Sequence, residues 1–220
     1  MIERVYQQAL KAFENVYVAT DDERISTVVT SFGGKVVMTS PDHPSGTDRI
    51  CEALNKIENE EKSRYDVVFN VQGDEPYIQA EALEQLKKCF SDPSTHIATL
   101  AKPMLKLEDI MNPNHVKLVK NSAGKALYFS RSPIPYLRNT PQDNWAGNFV
   151  FLKHLGIYAY RAEVLREITK LSPSSLEIAE SLEQNRWLEN GYTIKVEITD
   201  YESISIDTPE DLERVNSLKL

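Results

Sequence analysis

The apolar run DVVFNV stops on Gln72-Gly73-Asp74-Glu75-Pro76. Residues that fill a core give way to residues that bind ligands. A glycine lets backbone approach a ligand closely, and a proline fixes the direction in which the chain leaves. A hard cation such as Mg²⁺ takes oxygen ligands, commonly one or two protein carboxylates together with substrate phosphates. Asp74 is the first candidate ligand, and its partner must come from a distant segment. SISID ends in Asp207 just before a helix-like stretch, the same kind of position. The competing reading of Asp207 is a helix cap, because DTPED is an ordinary helix start.

Three further groups carry possible chemistry. SPDHPSGTDR (40–49) is polar and leads into a helix. Backbone amides at a helix start, with Ser45 and Thr47, suit an anion or a base edge. The plain alternative is a capping loop with Thr47 or Asp48 as N-cap. In HLGIYAYR, strand alternation places His154, Gly156 and Tyr158 on one face, although a lone histidine is more often structural. Glu177, Glu180, Glu183 and Gln184 fall in one helical stretch, and the last three share a side by i, i+3 and i+4 spacing. Such a row is ordinarily a solvated face. Cys51 and Cys89 sit in helical patterns as small hydrophobes, away from any histidine motif, so thiol chemistry has no support.

The elements that must position these residues alternate. Residues 2–14 have helical spacing, VYVAT (16–20) reads as a strand, and a helix on Ile25, Val28, Val29 and Phe32 ends at Gly33-Gly34. KVVMT is a strand, the loop SPDHPSG precedes a helix with Ile50, Ala53, Leu54 and Ile57, DVVFNV is a strand and 79–90 a helix. Alternation with near-continuous apolar strands argues for a parallel sheet covered on both faces. HIATLAKP then reads as a strand, and HVKLVKN with GKALYFSR as a hairpin across Ser122-Ala123-Gly124. Residues 132–147 hold three prolines and little periodicity, which predicts a surface loop or an oligomer arm. HLGIYAYR is a strand, helices are expected around 161–170 and 174–190, and YTIKVEI and SISID are strands before a last helix over 208–218.

Composition narrows the classes. The 220 residues fit one large α/β domain, and 41% hydrophobic residues suffice for a real core. A net charge of -8 without a long basic run argues against nucleic acid as a partner. No stretch reaches the ~18 consecutive apolar residues of a membrane span, and the N-terminus lacks the apolar core of a signal peptide. With two cysteines and no disulfide framework, a reducing cytoplasm is the expected location. No GxGxxG or Walker loop is present.

Together, VATDD, SGTDR, NVQGDEP, ALYFSRSPIP, HLGIYAYR, SLEQNR and DTPEDLERV, in this order and spacing, resemble the 3-deoxy-manno-octulosonate (Kdo) cytidylyltransferases over essentially the whole chain. These are the CMP-Kdo synthetases of lipopolysaccharide assembly. QGDEP and TPEDLE are shared with broader sugar nucleotidyltransferases, whereas HLGIYAYR with YFSRSPIP is more specific. The resemblance implies a Rossmann-like nucleotidyltransferase α/β fold, with a mixed, mostly parallel sheet and an antiparallel excursion. It implies one domain over 1–220, with a 115–160 subregion for sugar binding and dimerisation, and a cytoplasmic homodimer.

The resemblance further implies transfer of CMP from CTP to Kdo with Mg²⁺. Asp74 and Asp207 match the catalytic metal ligands. Ser45, Gly46, Thr47 and Arg49 match the segment lining the cytidine pocket, and Gln72 lies between nucleotide and sugar. Arg131, His154, Tyr158, Glu183 and Gln184 match the Kdo pocket, with Arg131 and His154 expected on the sugar's carboxylate and Glu183 and Gln184 on its hydroxyls. The family opens with a strand and a basic loop of the type PARxxSxRxPGKPL that grips the triphosphate. Met1-Ile2-Glu3-Arg4-Val5 instead resembles the helix that follows it. A mis-set start codon or a truncation is the expected reason. The alternatives are an inactive relative that binds nucleotide or sugar, or a cytidylyltransferase for another sugar acid such as N-acetylneuraminate.

Overall fold

The apolar stripe of the first helix, α1 (Ile2–Leu10), buries Val5, Tyr6 and Ala9. In the computed structural model, which describes residues 1–202, Tyr6 also does polar work. Its hydroxyl donates to the Val16 carbonyl at 3.2 Å and accepts from the Lys35 N–H at 3.0 Å. Those residues lead into β1 (Val18–Thr20) and β2 (Val36–Met38), which pair in parallel with Val18 opposite Val36. One side chain therefore aligns the entry points of both strands.

Between them runs α2 (Glu23–Ser31), capped by Asp22, whose carboxylate accepts from the Arg24 N–H at 2.7 Å. Its other end is a Schellman motif: Gly33 at φ +79° donates to Thr30, and Gly34 donates to Val29 at 2.9 Å. The long helix α3 (Gly46–Glu61) follows. Among the described residues these elements belong to one compact unit, Met1–Tyr65 with Asn70–Glu84 and Glu202.

The second unit comprises Asp66–Phe69 and Gln85–Tyr201. Its strands are β3 (Val67–Asn70), β4 (Ile97–Met104), β5 (Lys117–Lys120), β6 (Ala126–Ser130), β7 (Phe151–Arg161) and β8 (Ile194–Ile198). They form a mixed sheet in the order β6-β5-β7-β4-β8, with β3 also paired to β7. The ladder β4–β8 is parallel; β4–β7, β5–β7 and β5–β6 are antiparallel. The antiparallel excursion is thus the β5–β6 hairpin with β7, inside the 115–160 region. Gly124 turns the hairpin at φ +75°, a conformation that suits glycine.

Ile97, Leu100, Leu118, Phe129, Phe151 and Ile157 are fully or almost fully buried in this unit. Each such side chain contributes roughly 1.5–3 kcal/mol. The remaining helices are α4 (Ala80–Lys88), α5 (Leu107–Met111), α6 (Trp145–Asn148), α7 (Ala162–Ile168), α8 (Ser175–Glu180) and α9 (Glu183–Glu189).

Two expectations change. Residues 132–147 are not a bare surface loop. Their C-terminal part coils into a 3₁₀ turn and α6, and Trp145 is buried with Met104, Ile110 and Phe151, its indole donating to Thr140 at 3.0 Å. A large aromatic side chain with a satisfied N–H anchors the segment more strongly than periodicity reveals. The helix expected over 174–190 is two helices. Ser174 starts α8 with a capping box, and Ser181 ends it in the left-handed region at φ +52°. The chain then buries Leu182 and starts α9. Glu180 and Glu183 consequently lie on different helices, and the shared side inferred from i, i+3 spacing does not exist. Asp207 and the helix expected over 208–218 lie outside the described residues.

Candidate active site

In the first unit the candidate nucleotide residues gather where α3 begins. Ser45 is the N-cap: its Oγ accepts from the Asp48 N–H at 3.3 Å and lies 2.7 Å from the Asp48 carboxylate. This corrects the sequence reading, which placed the cap at Thr47 or Asp48. A β-region residue whose side chain reaches two or three positions forward is what a cap requires, and Ser45 meets it. Thr47 is buried on the first turn.

Arg49 reaches back across both strand ends. It pairs with Asp21 at 3.2 Å, donates to Thr39 Oγ1 at 2.7 Å and approaches the Ser40 carbonyl at 3.4 Å. The loop before the cap is held as well. Glu52 accepts from the Ser40 N–H at 3.0 Å, pairs with Lys56 at 2.6 Å and contacts His43. Lys56, the Ser40 amide and His43 together hold the Glu52 carboxyl at about 2, below its ordinary value.

The end of β3 belongs to the same place. A Cβ added at Gly46 would stand 3.9 Å from Asn70 Nδ2. The Gln72–Ile78 segment turns sharply, with the Glu75 N–H on Gln72 and the Ile78 N–H on Glu75 at 3.1 Å. Glu75, Pro76 and Ile78 are buried, Asp74 is half-buried and Gln72 is exposed. The acid-acid pair thus splits its duties: Glu75 turns inward and Asp74 stays accessible. Gly73 lies against α1, where a Cβ would come 3.4 Å from the tip of Ile2.

Among the described residues no three His, Cys, Asp or Glu side chains converge as a metal cage. Asp74 fits the other way of holding Mg²⁺, through one or two carboxylates completed by water and phosphate oxygens.

In the second unit, β7, β4, β6 and α9 bring the candidate sugar residues together. The β4–β7 register shifts between Thr99 and Leu100: Tyr158 is opposite Thr99, but Leu155 is opposite Leu100. Two residues, Gly156 and Ile157, are therefore extra on β7, one more than an ordinary β-bulge inserts. The bulge closes the distance between His154 and Tyr158, whose ring centroids are 5.3 Å apart. In a regular strand four residues span about 13 Å. Alternation alone put both on one face; the bulge makes them neighbours.

Phe129 packs edge-on to His154, and Trp187 edge-on to Tyr158 at 5.2 Å. Burial pushes the His154 imidazole down to about 3, so the ring is neutral. Burial, with Tyr160 and Glu183 nearby, raises the Tyr158 phenol well above its usual value, against a smaller opposing pull from the Thr99 hydroxyl.

Several polar atoms here lack partners. Tyr158 OH, Gln184 Nε2 and Trp187 Nε1 are buried and have no hydrogen-bond partner of ordinary geometry among the described residues. Buried polar groups are paired in the great majority of cases, so an unfilled cluster asks for a cause. Gln184 and Trp187 stand one turn apart on α9, and Glu183 acts electrostatically on Tyr158.

Arg131 follows β6. Its guanidinium donates to the carbonyls of Glu180 at 2.8 Å, Pro113 at 3.2 Å and Ser181 at 3.4 Å. The Glu180 carboxylate in turn accepts from Ser130 Oγ at 2.6 Å, the Arg131 N–H at 2.9 Å and Tyr128 OH at 3.2 Å. Burial pushes the Glu180 carboxyl up, but these donors outweigh it and leave it below the ordinary range. Lys117, fully buried on β5, donates to the Asn112 carbonyl at 2.9 Å and to that of Arg131. Sequence reading passed over Lys117, Thr99 and Trp187. The available signal for the first two was a polar residue amid an apolar strand.

The model of the cytidylyltransferase family matches residues 1–198. The 3-deoxy-manno-octulosonate cytidylyltransferase of Phocaeicola vulgatus is 56% identical over 220 residues, covering 99% of this chain and 86% of that protein. That of Bacteroides thetaiotaomicron is 56% identical over 215 residues, covering 96% and 84%. A solved structure of CMP:2-keto-3-deoxy-manno-octonic acid synthetase complexed with CTP superposes with a TM-score of 0.87 at 41% identity, covering 98% of this chain and 86% of that one. The chain belongs to the 3-deoxy-manno-octulosonate cytidylyltransferases of the cytidylyltransferase family.

Proposed function

We propose that the two sets of residues divide one reaction, the transfer of CMP from CTP to Kdo with release of pyrophosphate. The membership of the chain gives the reaction; the assignment of residues is our reading. The anomeric oxygen of Kdo bonds to the α-phosphorus of CTP, and the bond from that phosphorus to pyrophosphate breaks. Little covalent work falls to protein in such a step, so positioning and charge neutralisation dominate.

Ser45, Gly46, Thr47 and Arg49 form the cytidine side. The capped helix start presents backbone amides, and Arg49 fixes it to both strand ends. Gln72 is assigned to contacts with both nucleotide and sugar. Asp74, with Asp207, would hold Mg²⁺, which would supply neutralisation of phosphate charge and a lower pKa for the attacking hydroxyl. Arg131, His154, Tyr158, Glu183 and Gln184 form the sugar side. The observation that carries this assignment is the set of buried, unfilled polar atoms at Tyr158 and Gln184, beside a neutral His154. A ligand rich in hydroxyls supplies the partners they lack.

The same reading includes a homodimer and a place in lipopolysaccharide synthesis in the cytoplasm. Leu105, Met111, Tyr136, Phe149 and Val150 are exposed around the buried Trp145 cluster, an apolar face suited to a second copy. Among the described residues no helix is long and apolar enough to cross a membrane.

Pyrophosphate release with CTP, Kdo and Mg²⁺ tests the reading, on this chain and on one preceded by the basic strand-loop of the family. Kdo-dependent release that falls at least about 100-fold in Asp74→Asn is the expected result. Equal rates with N-acetylneuraminate, or a fully active Asp74→Asn, would overturn it.

A further inference from the structure

The bulge in β7 turns two carbonyls, those of Leu155 and Ile157, towards Thr99 of β4. Thr99 on β4 faces both. Its Oγ1 lies 2.8 Å from the Ile157 oxygen and 3.1 Å from the Leu155 oxygen. The same Oγ1 lies 3.2 Å from His154 Nε2. A threonine hydroxyl has one proton, and carbonyl oxygens can only accept. The proton is therefore committed to the bulge, and towards His154 the hydroxyl presents a lone pair. Nε2 must then carry the hydrogen. A neutral imidazole has one N–H, so Nδ1 is a bare acceptor.

We infer that Thr99 is a positioning residue: it locks His154 as the neutral ring protonated on Nε2, so that Nδ1 accepts a hydrogen bond from a hydroxyl of the sugar acid. The inference rests on the sugar-side assignment above and changes it in one respect. His154 does not share the sugar's carboxylate with Arg131, because a bare Nδ1 repels an anion and the single N–H is already used.

The environment agrees. His154 is packed between Phe129 and Tyr158, and its desolvation disfavours the doubly protonated ring that would donate from both nitrogens. The unfilled groups nearby, Gln184 Nε2 and Trp187 Nε1, are donors. An acceptor among donors lets the wall satisfy hydroxyls, which both give and take. The bulge supplies the reason for a threonine at position 99: an apolar residue there would remove the one donor facing the bulge carbonyls and the acceptor for the imidazole N–H.

The tautomer is read directly by two-bond ¹H–¹⁵N correlation spectra of the free, ¹⁵N-labelled chain at pH 7. His154 is expected to show protonated Nε2 and bare Nδ1, in the wild type and in Thr99→Ser. Thr99→Val is expected to mix or reverse the tautomers. It should also raise the KM for Kdo about tenfold with the KM for CTP unchanged, and Thr99→Ser should restore it. An Nδ1–H or cationic His154 in the wild type overturns the inference, even if Thr99→Val does not fold. So does a Thr99→Val spectrum identical to wild type. An altered tautomer with an unaltered KM for Kdo overturns the acceptor role. Failure of the sugar-side reading itself appears separately, as absence of Kdo-dependent turnover in the chain preceded by the basic strand-loop, because the spectra need no substrate.

Discussion

The start of α3 and the wall formed by β7 and α9 are both polar, but they are prepared in opposite ways. At α3 the side chains are spent on one another: Arg49 on Asp21 and Thr39, Ser45 on Asp48, Glu52 on Ser40, His43 and Lys56. What remains for a ligand is backbone, held in place by those bonds. At β7 and α9 the reverse holds. Tyr158, Gln184 and Trp187 are sunk among aromatic rings with polar atoms unfilled. A paired frame suits recognition by main-chain amides, where rigidity matters most. An unpaired, desolvated wall suits recognition by side chains, because a hydrogen bond formed away from water is stronger and leaving it unmade is costly. Stability and ligand affinity should therefore move together in the first region and apart in the second.

The largest expected effect concerns His154. Its folded pKa, about 3, lies below the ordinary ~6.5. Between those values the unfolded chain binds a proton that the folded chain does not. The contribution to stability is complete above about pH 6.5 and is lost as pH falls towards 3, by at most about 1.4 kcal/mol per pH unit. Urea unfolding at pH 7, 6 and 5 should show this slope in the wild type and a flatter one in His154→Gln; parallel slopes would break the picture of a dry wall. Next is Tyr158→Phe, which removes a hydroxyl that has no partner of ordinary geometry and only a weak contact with Thr99. Its KM for Kdo should rise tenfold or more, about 1.4 kcal/mol, while unfolding free energy stays level or rises by up to ~1 kcal/mol. A marked loss of stability would mean that the hydroxyl is already partnered. Smallest is Arg49→Met. Its half-exposed ion pair and hydrogen bonds should cost about 1 kcal/mol of stability, with a KM for CTP a few times higher. Stability unchanged alongside a raised KM would place Arg49 on the ligand rather than in the frame.

Much of this was legible in residue order. Gly33 and Gly34 end α2, Gly124 turns the hairpin, and the QGDEP turn stands where the apolar strand runs out. These features rest on local chemistry, which composition records. The break at Ser181, the buried anchor at Trp145 and the bulge at Gly156–Ile157 were not legible. Period arguments count positions along one chain. They have no view of the strand opposite, which is where a register shift is defined. Thr99 was missed for the same reason: inside IATLAKP it reads as one polar residue in a core strand, and its partners lie 55 to 58 positions away. Tyr158 and Gln184 were singled out by strand alternation and helical spacing, and their sugar role came through resemblance; burial then distinguished them, because only the folded chain shows which polar atoms lack partners of ordinary geometry.

The bulge bears on how this wall can change over time. Its two extra residues are an even number, so every side chain before and after them keeps its face of the sheet. Losing Gly156 and Ile157 together would bring Leu155 and Tyr158 into direct succession without turning any core residue to the other side. A single loss would invert one arm of β7 against its neighbours. Length variation in this strand is therefore quantised: paired changes keep the facing of every remaining core side chain, lose only the buried Ile157 itself, and are felt at the carbonyls that Thr99 serves. Natural variation could retune the recognition surface in such paired steps while the scaffold beneath it stays the same.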